Sequence, residues 1–311
     1  MPLRPEEHEA LWTAIRNANA NWQPGDTSMT DLTVTERRTR LGYTPGPDEP
    51  SLEQRAAQSL AHRVMATIMS ATPPATAVDW RHYNGNNYVT SVKDQGNCGS
   101  CVAFGTTATM ESRARIIQQI PVNANSGGIL PDLSPAHLFY CGNTAPTDPC
   151  KAGWQPGAAL TFATNPGVVP LSCYAYTSGN QTCSPCTNWQ QLVTTINGSH
   201  EVTSIPEMKA WLASRGPLIT CLSVYEDFYA YTSGVYAPTS NVSEGGHCVS
   251  CVGYDDTKGA WVCKNSWGTR WGEGGFFWIK YGECGIDATM WAIDTFSAIY
   301  TQKGPHRAVR P

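Results

Sequence analysis

The stretch that decides the fold is Gln95-Gly-Asn-Cys-Gly-Ser-Cys-Val-Ala-Phe104. Cys101 begins a long helical pattern over residues 101–120, with Ser100 as its expected N-cap. In the first turn of a helix, backbone N–H groups and the positive end of the helix dipole favour a thiolate. The upstream Gln95 brings a side-chain NH₂ group near that sulfur, where it can hold an oxyanion together with the Cys101 N–H. The stretch therefore predicts a nucleophilic cysteine.

A thiolate nucleophile also needs a base and a group that orients the base. Two later segments carry these residue types, and they are Gly245-Gly-His-Cys-Val-Ser-Cys-Val-Gly-Tyr254 and Lys264-Asn-Ser-Trp-Gly-Thr-Arg-Trp-Gly-Glu-Gly-Gly275. Within them, His247 lies 146 residues and Asn265 lies 164 residues after Cys101. A cysteine, a histidine and an amide in this order indicate covalent catalysis by a thiol.

These motifs resemble those of the papain family of cysteine peptidases. The resemblance covers Val78 to about Ile293. Besides the segments above, it includes Val78-Asp-Trp-Arg81, Leu133-Ser134, Cys141, Cys150-Lys-Ala-Gly-Trp154, Tyr174-Ala-Tyr176, Gly216-Pro217 and Cys284-Gly-Ile286. Several motifs in one order are far more specific than any single motif. One residue departs from the family pattern, because Val102 follows the nucleophile where an aromatic residue is usual.

The resemblance implies a role for each matching residue. Cys101 is the nucleophile, His247 is the general base and acid, and Asn265 orients the imidazole. Gln95 and the Cys101 N–H form the oxyanion hole. Trp267 shields the histidine–asparagine contact and lines the leaving-group side. The implied activity is endopeptidase cleavage through a thioester, with no metal and no cofactor.

The resemblance also implies a substrate-binding surface. The S2 pocket, which takes the second side chain before the scissile bond, would be lined by Trp154, Cys221, Gly246, Cys248 and, at its base, Thr289. Gly153 would offer backbone hydrogen bonds to an extended substrate. Since no carboxylate stands at the base, a buried arginine there would cost several kcal/mol. The expected preference is therefore an aliphatic or aromatic side chain. A Cys221–Cys248 bond that narrows this pocket is a further hypothesis.

Twelve cysteines, 28 glycines and 22 prolines are typical of a disulfide-stapled protein of an oxidising, extracytoplasmic compartment. The family pattern implies the pairs Cys98–Cys150 and Cys141–Cys183, with Cys173–Cys186 as a third. A zinc-thiolate protein is the alternative, because three Cys-x-x-Cys pairs occur, starting at residues 98, 183 and 248. Zinc ribbons place two such pairs about 15–20 residues apart, and these lie much farther apart.

The composition excludes several classes of function. Only 15% of the 311 residues are charged and the net charge is −4, so no basic footprint for nucleic acid or an anionic membrane exists. No run of 18 apolar residues occurs, which argues against a transmembrane helix. The N-terminus lacks the apolar core of a signal peptide. We expect a monomer that acts on peptide and protein substrates.

The order of elements predicts an α+β fold in two domains with the cleft between them. Residues 78–196 should form a mainly helical domain with the nucleophile, including helices at Ser134–Tyr140 and Pro156–Ala163. Residues 197–311 should form a mainly antiparallel β-domain and the C-terminal tail. Its expected strands are Leu218–Tyr225, His247–Tyr254, Ala260–Lys264 and Phe276–Lys280.

Residues 1–77 are expected to be an inhibitory pro-segment and linker, like the short pro-segments of some bacterial relatives. They contain no cysteine and precede the family's usual mature start. Helical spacing predicts helices over His8–Ala20 and, after the N-cap Ser51, over Leu52–Ile68, whose apolar face would be Leu52, Ala56, Leu60, Val64 and Ile68. We expect Leu11, Trp12 and Ile15 to dock on the body, Trp22–Met29 to lie along the cleft, Leu41–Pro47 to lead away, and acidic side chains of the segment to pair with the body.

Two other functions on the same fold remain open. The first is a binding or storage protein that has lost activity, against which the intact Cys101, His247, Asn265 and Gln95 weigh heavily. The second is an exopeptidase, which would block one end of the cleft with an inserted loop, often carrying a histidine. Between Cys150 and His247 the only histidine is His200, and no obvious insertion surrounds it.

Overall fold

The computed structural model describes residues 5–68, 76–122, 130–144, 147–302 and 304–307. The helices are α1 Pro5–Asn17, α2 Val34–Arg38, α3 Leu52–Ile68, α4 Cys101–Gln118, α5 Pro149–Ala152, α6 Pro156–Thr164 and α7 Ile205–Ser214, with a π-helix at His137–Cys141 and 3₁₀ turns at Trp189–Gln191 and Glu226–Ala230. The strands are β1 Trp22–Pro24, β2 Ala77–Asp79, β3 Thr195–Val202, β4 Leu218–Tyr225, β5 Tyr231–Tyr236, β6 Ser243–Asp255, β7 Ala260–Lys264, β8 Phe276–Lys280, β9 Met290–Thr301 and β10 Gly304–Arg307.

The strands form one sheet in the order β1-β5-β8-β7-β6-β4-β9-β10, with β2 on β6 and β3 on β9. Its pairs are antiparallel except β5–β8. Most of the helices outside the N-terminal segment lie in the first half of the body, so the predicted α+β class is confirmed. We call residues 5–68 the N-terminal segment and the described residues from 76 onward the body. No helix in the described part of the chain combines the length and apolarity needed to cross a bilayer.

Helix α4 places the nucleophile at the junction of the helical half and the sheet. Residues 101–114 of this helix are all buried. Gly105 lets α4 lie close to β6, because a Cβ there would come within 3.1 Å of the Val249 carbonyl oxygen. At the other end, the guanidinium of Arg113 donates to the carbonyl oxygens of Arg215 and Asp294 at 2.7 and 2.8 Å. Helix α4 is therefore held against the sheet both near its start and near its end.

Three disulfides staple the helical half, and they are the pairs that the resemblance implies: Cys98–Cys150, Cys141–Cys183 and Cys173–Cys186. The first bond joins the loop before the nucleophile to α5. The free cysteines of the described chain are all buried, and they are Cys101, Cys221, Cys248, Cys251, Cys263 and Cys284. Cys221 and Cys248 face each other across β4 and β6 as thiols, not as the disulfide of our hypothesis.

Sequence patterns located some elements better than others. Strands β4, β7 and β8 have the predicted bounds, whereas β3, β5, β9 and α7 were not predicted. Helix α3 has the predicted length, but its apolar face is wrong. Leu60 and Val64 are about half exposed, whereas the helix buries Arg55 and Ser59 against the body. The side chain of Ile68, the last residue of the predicted face, is outside the described part of the chain.

The start of the N-terminal segment docks on the β-half of the body. Strand β1 pairs antiparallel with β5, and Trp22 Nε1 donates to the Ala237 carbonyl oxygen at 3.0 Å. Ile15 and Met29 are fully buried. Leu11 and Trp12 pack against the same core, as expected for docking on the body. The expectation that Trp22–Met29 lies along the cleft is wrong for Trp22, which packs beside Tyr231 and Tyr236, whereas Ser28 donates to the Trp267 carbonyl oxygen at 2.9 Å.

Candidate active site

The predicted catalytic residues come together from three separate elements. Cys101 is the first residue of α4, His247 lies in β6, and Asn265 directly follows β7. The Asn265 amide oxygen Oδ1 lies 2.7 Å from Nε2 of His247, which fixes the ring and leaves Nδ1 for proton exchange with the thiol. The Trp267 ring is fully buried, with its centroid 4.6 Å from that of His247. Trp267 therefore keeps water from the histidine–asparagine contact.

The side chain of Gln95 is oriented for an oxyanion hole. Ser266 Oγ donates to Gln95 Oε1 at 2.7 Å, so the opposite end of the amide, Nε2, must face the cleft. Tyr176 supports the same loop, because its hydroxyl donates to the Gln95 carbonyl oxygen at 2.7 Å and lies 2.8 Å from Ser100 Oγ. Neither Ser266 nor Tyr176 was predicted as a site residue, because hydrogen bonds between distant loops leave no local sequence pattern.

Residues 40–44 of the N-terminal segment run through the cleft. Gln95 Nε2 donates to the Arg40 carbonyl oxygen at 2.9 Å, so this oxygen occupies the donor meant for an oxyanion. The Tyr43 N–H donates to the Gly246 carbonyl oxygen at 3.0 Å on one wall. On the other wall, the Trp154 N–H donates to the Gly42 carbonyl oxygen at 2.7 Å. The expectation that Leu41–Pro47 leads away from the cleft is therefore wrong.

Only glycine fits at position 42. A Cβ built on Gly42 would lie 1.9 Å from the Gly99 carbonyl oxygen and 2.5 Å from the Gly99 Cα. Both are backbone atoms of the loop that leads into α4, so they cannot rotate away. The same glycine directs its N–H toward the Cys101 sulfur. The segment thus passes over the nucleophile at backbone-contact distance.

Two side chains of the segment fill the predicted S2 pocket. The ring of Tyr43 lies against Gly246, and its hydroxyl donates to Glu49 Oε2 at 2.8 Å. Arg55, on α3, is only 1% exposed. Its Nη2 donates to the carbonyl oxygens of Thr289 at 3.2 Å and Cys221 at 3.4 Å. Tyr43 occupies the cleft side of the pocket and Arg55 its base.

Comparisons with known proteins agree with this geometry. The family model described as papain family cysteine protease matches residues 74–293. This chain belongs to the papain family. The cathepsin B-like CP3 of Giardia intestinalis is 36% identical over 234 residues, which cover 70% of this chain and 74% of the relative. The cathepsin L-like proteinase of Fasciola hepatica is 34% identical over 240 residues, covering 75% and 69%.

Solved structures show the papain-family fold over nearly the whole chain. The digestive procathepsin L2 proteinase from the Tenebrio molitor larval midgut superposes with a TM-score of 0.71 at 25% identity, covering 93% of this chain and 89% of that one. For procathepsin B S9 from Trypanosoma congolense the TM-score is 0.73 at 22% identity, with 95% and 99% covered. The protein is therefore a cysteine protease of the papain family, as the sequence predicts.

The remaining predicted substrate-binding residues of this papain-family protease lie along the same path. Gly153 adopts φ +68°, and its carbonyl oxygen accepts from Asn143, so backbone pairing with the segment passes to Trp154. A Cβ on Gly153 would lie 2.4 Å from the Gly42 carbonyl oxygen. The Trp267 carbonyl oxygen accepts from Ser28 of the segment at 2.9 Å. Their roles toward substrate stay predictions.

Three of the four ion pairs between segment and body among the described residues have the opposite polarity to the one expected. In three pairs the segment supplies the arginine and the body the carboxylate: Arg38–Glu244 at 2.6 Å, Arg40–Asp94 at 2.8 Å and Arg63–Glu283 at 2.9 Å. The Asp31–Arg270 pair, at 3.0 Å, has the expected polarity. Acid protonates a carboxylate on either side, so the pH dependence keeps its direction.

The covered dyad is electrically neutral. Burial raises the pKa of the Cys101 thiol to about 12, although backbone N–H groups of Cys248, Gly42 and Val102 favour the thiolate. Burial also lowers the pKa of His247 to about 4, against the stabilising effect of Asn265 on the protonated ring. At neutral pH the thiol is therefore protonated and the imidazole uncharged. The nucleophile is not activated while the segment is in place.

This charge state predicts a pH profile for alkylation of Cys101 by iodoacetamide. In the intact chain the rate should stay low from about pH 5 to pH 8 and rise only in alkaline solution, because the thiol keeps its proton. After removal of residues 1–77 the dyad meets water, and the rate should become high over the same range, as a thiolate–imidazolium pair does. Peptide mapping by mass spectrometry separates Cys101 from the other thiols, with Cys101→Ala as the control. Identical profiles before and after cleavage would contradict the account.

Proposed function

We propose that the chain is the zymogen of a monomeric endopeptidase of an oxidising, extracytoplasmic compartment. Residues 1–77 are the pro-segment and linker, residues 78–196 the helical domain, and residues 197–311 the β-domain. The three disulfides support the compartment. The observation that carries the proposal is the passage of residues 40–44 over a complete set of catalytic residues. Its structural neighbours include the digestive procathepsins L 3 and L2 of Tenebrio molitor, which supports this proposal.

The proposed reaction is acyl transfer. The Cys101 thiolate attacks a peptide carbonyl carbon, and Gln95 Nε2 and the Cys101 N–H hold the oxyanion. His247 gives its proton to the leaving amine, and a thioester forms as the C–N bond breaks. His247 then takes a proton from water, which attacks the thioester; the C–S bond breaks, the carboxylic acid leaves and the thiolate–imidazolium pair is restored. Asn265 keeps the imidazole in one orientation throughout.

The segment lies in the cleft without presenting a bond for cleavage. An N–H group of Gly42, not a carbonyl carbon, faces the Cys101 sulfur. The carbonyl oxygen that reaches Gln95 belongs to Arg40, two residues away along the chain. The carbonyl group at Gln95 and the backbone N–H at the sulfur therefore belong to different peptide units. Inhibition follows from this placement together with the neutral state of the dyad.

The pocket supports the proposed hydrophobic preference at S2. Tyr43 shows that an aromatic ring fits on the cleft side, 3% exposed. Burial of such a side chain stabilises a complex by about 1.5–3 kcal/mol. We expect substrates with a phenylalanine, tyrosine or leucine at this position to be cleaved well.

Replacement of Gly42 should release the inhibition. Gly42→Ala places a methyl group against the Gly99 backbone, so residues 40–44 must leave the cleft. The uncleaved variant should then hydrolyse a fluorogenic peptide blocked at both ends about tenfold faster than the wild-type zymogen, or more. Both ends are blocked so that hydrolysis also separates an endopeptidase from an exopeptidase.

The matched control is Gly46→Ala in the same segment. A Cβ there meets the flexible side chain of Gln155, at 2.2 Å from its Oε1, and not a backbone atom. This variant should stay as inactive as the wild type, with an unchanged melting temperature. Equal activity of Gly42→Ala, Gly46→Ala and wild-type chains would refute the block by residues 40–44.

Acid should trigger activation by cutting after α3. Acid weakens ion pairs that involve carboxylates, and Glu244 and Glu283 form such pairs with the segment. One such pair contributes about 1 kcal/mol or less, so both pairs should be removed together. The double variant Glu244→Gln/Glu283→Gln should shift the activation midpoint to higher pH. The control Asp48→Asn, at an exposed residue, should leave the midpoint unchanged. Because Arg55 fills the pocket base, the active product should begin after Ile68, near Val78. N-terminal sequencing of a fully active product that retains residues 52–68 would disprove this order.

A further inference from the structure

The guanidinium group of Arg55 lies at the base of the S2 pocket, where no carboxylate of the described chain pairs with it. Arg55 forms no ion pair with any residue of the described chain. Instead, its Nη2 donates to the carbonyl oxygens of Thr289 and Cys221. Its guanidinium carbon lies 5.4 Å from the ring centroids of both Tyr43 and Trp291. Two carbonyl oxygens and two aromatic faces therefore surround this buried charge, whose Nε has no partner among the described residues.

Most of this environment belongs to the body. The carbonyl oxygens of Cys221 and Thr289 lie on β4 and directly before β9, and Trp291 is the second residue of β9. Trp291 is held by pairing with Ile219 of β4 and by its Nε1, which lies 3.3 Å from Glu201 Oε1. Only Tyr43 and Arg55 leave with the segment. The acceptors and one aromatic face remain in the activated enzyme.

We propose that the S2 subsite of the activated enzyme accepts an arginine side chain of the substrate, bound at its tip by the Cys221 and Thr289 carbonyl oxygens and by the face of Trp291. The proposal rests on the proposed peptidase function and extends the hydrophobic preference. A side chain that enters from the cleft follows the path of Tyr43, whose ring already lies beside the Arg55 guanidinium. The long apolar stem of arginine would line this path, as a hydrophobic side chain does.

Arginine suits this site better than lysine. Its planar guanidinium stacks on an indole face and directs several N–H groups to separate acceptors, whereas an ammonium group is strongly hydrated and compact. The expectation from sequence that arginine is excluded assumed that its charge would be buried unpaired. Arg55 contradicts that assumption, because backbone carbonyls at the base serve as acceptors. Glutamate has no donor at this site, and the carbonyl oxygens repel its charge.

The test compares blocked fluorogenic dipeptides that differ only in the residue bound at S2. With the acid-activated enzyme, calibrated by epoxide titration of Cys101, kcat/KM for arginine should fall within tenfold of that for leucine. Lysine and glutamate should each be at least tenfold poorer than arginine. Good cleavage with leucine but equally poor cleavage with arginine and glutamate would overturn the proposal.

Two variants test whether the Trp291 ring is responsible for the cleavage of arginine substrates. Trp291→Leu should lower the ratio of arginine to leucine kcat/KM at least fivefold, and Trp211→Phe, on α7, should leave the ratio unchanged. An unchanged ratio in Trp291→Leu would remove the tryptophan from the proposal. If that variant does not fold, the substrate panel on the wild-type enzyme decides alone. No hydrolysis with leucine and no epoxide labelling would instead overturn the proposed function itself.

Discussion

Backbone hydrogen bonds tie residues 42–44 to both walls of the cleft, from Tyr43 to Gly246 on the side of His247 and between Trp154 and Gly42 on the opposite side. Other features of the covered site depend on this strand-like contact. It puts the Arg40 carbonyl oxygen on Gln95 and buries the dyad deeply enough to favour its neutral form. It also requires a residue without a side chain at position 42. Each bond is individually modest, about 1 kcal/mol net, so the contact needs anchors on either side.

The anchors differ in chemistry. Before the cleft, the segment is held by apolar burial of Ile15, Trp22 and Met29 and by the short strand β1. After the cleft, α3 is held by polar groups, with Arg55 in the S2 pocket and Nδ1 of His62 2.9 Å from the Asp287 carbonyl oxygen. Apolar burial offsets the entropy lost when a chain segment is ordered. The polar contacts of α3 fix where the helix lies more than they stabilise its contact with the body. They also place the Arg55 guanidinium in the predicted S2 pocket.

The meeting of Cys101, His247 and Asn265 could be predicted from sequence because each stands in a short contiguous motif, and strands β4, β7 and β8 because their apolar runs end at turns. Strand β3 was missed because residues 197–201 are exposed and β9 recognises them through the backbone. The path of residues 40–44 was missed because five extended residues carry no periodicity, and the walls of the cleft decide their course. The apolar spacing of α3 predicted the wrong face because the helix docks mainly through polar side chains, Arg55 and His62, although Leu52 packs against the core.

Inhibition in trans tests the central claim most directly. Residues 1–68, prepared as a separate chain, would be added to the activated enzyme, and kcat and KM would be measured for a blocked peptide. The account predicts competitive inhibition, with a raised apparent KM and an unchanged kcat, and an inhibition constant at least about tenfold weaker for the segment that carries Gly42→Ala. Absence of inhibition, or equal inhibition by both segments, would contradict the claim that close backbone passage over Cys101 closes the site.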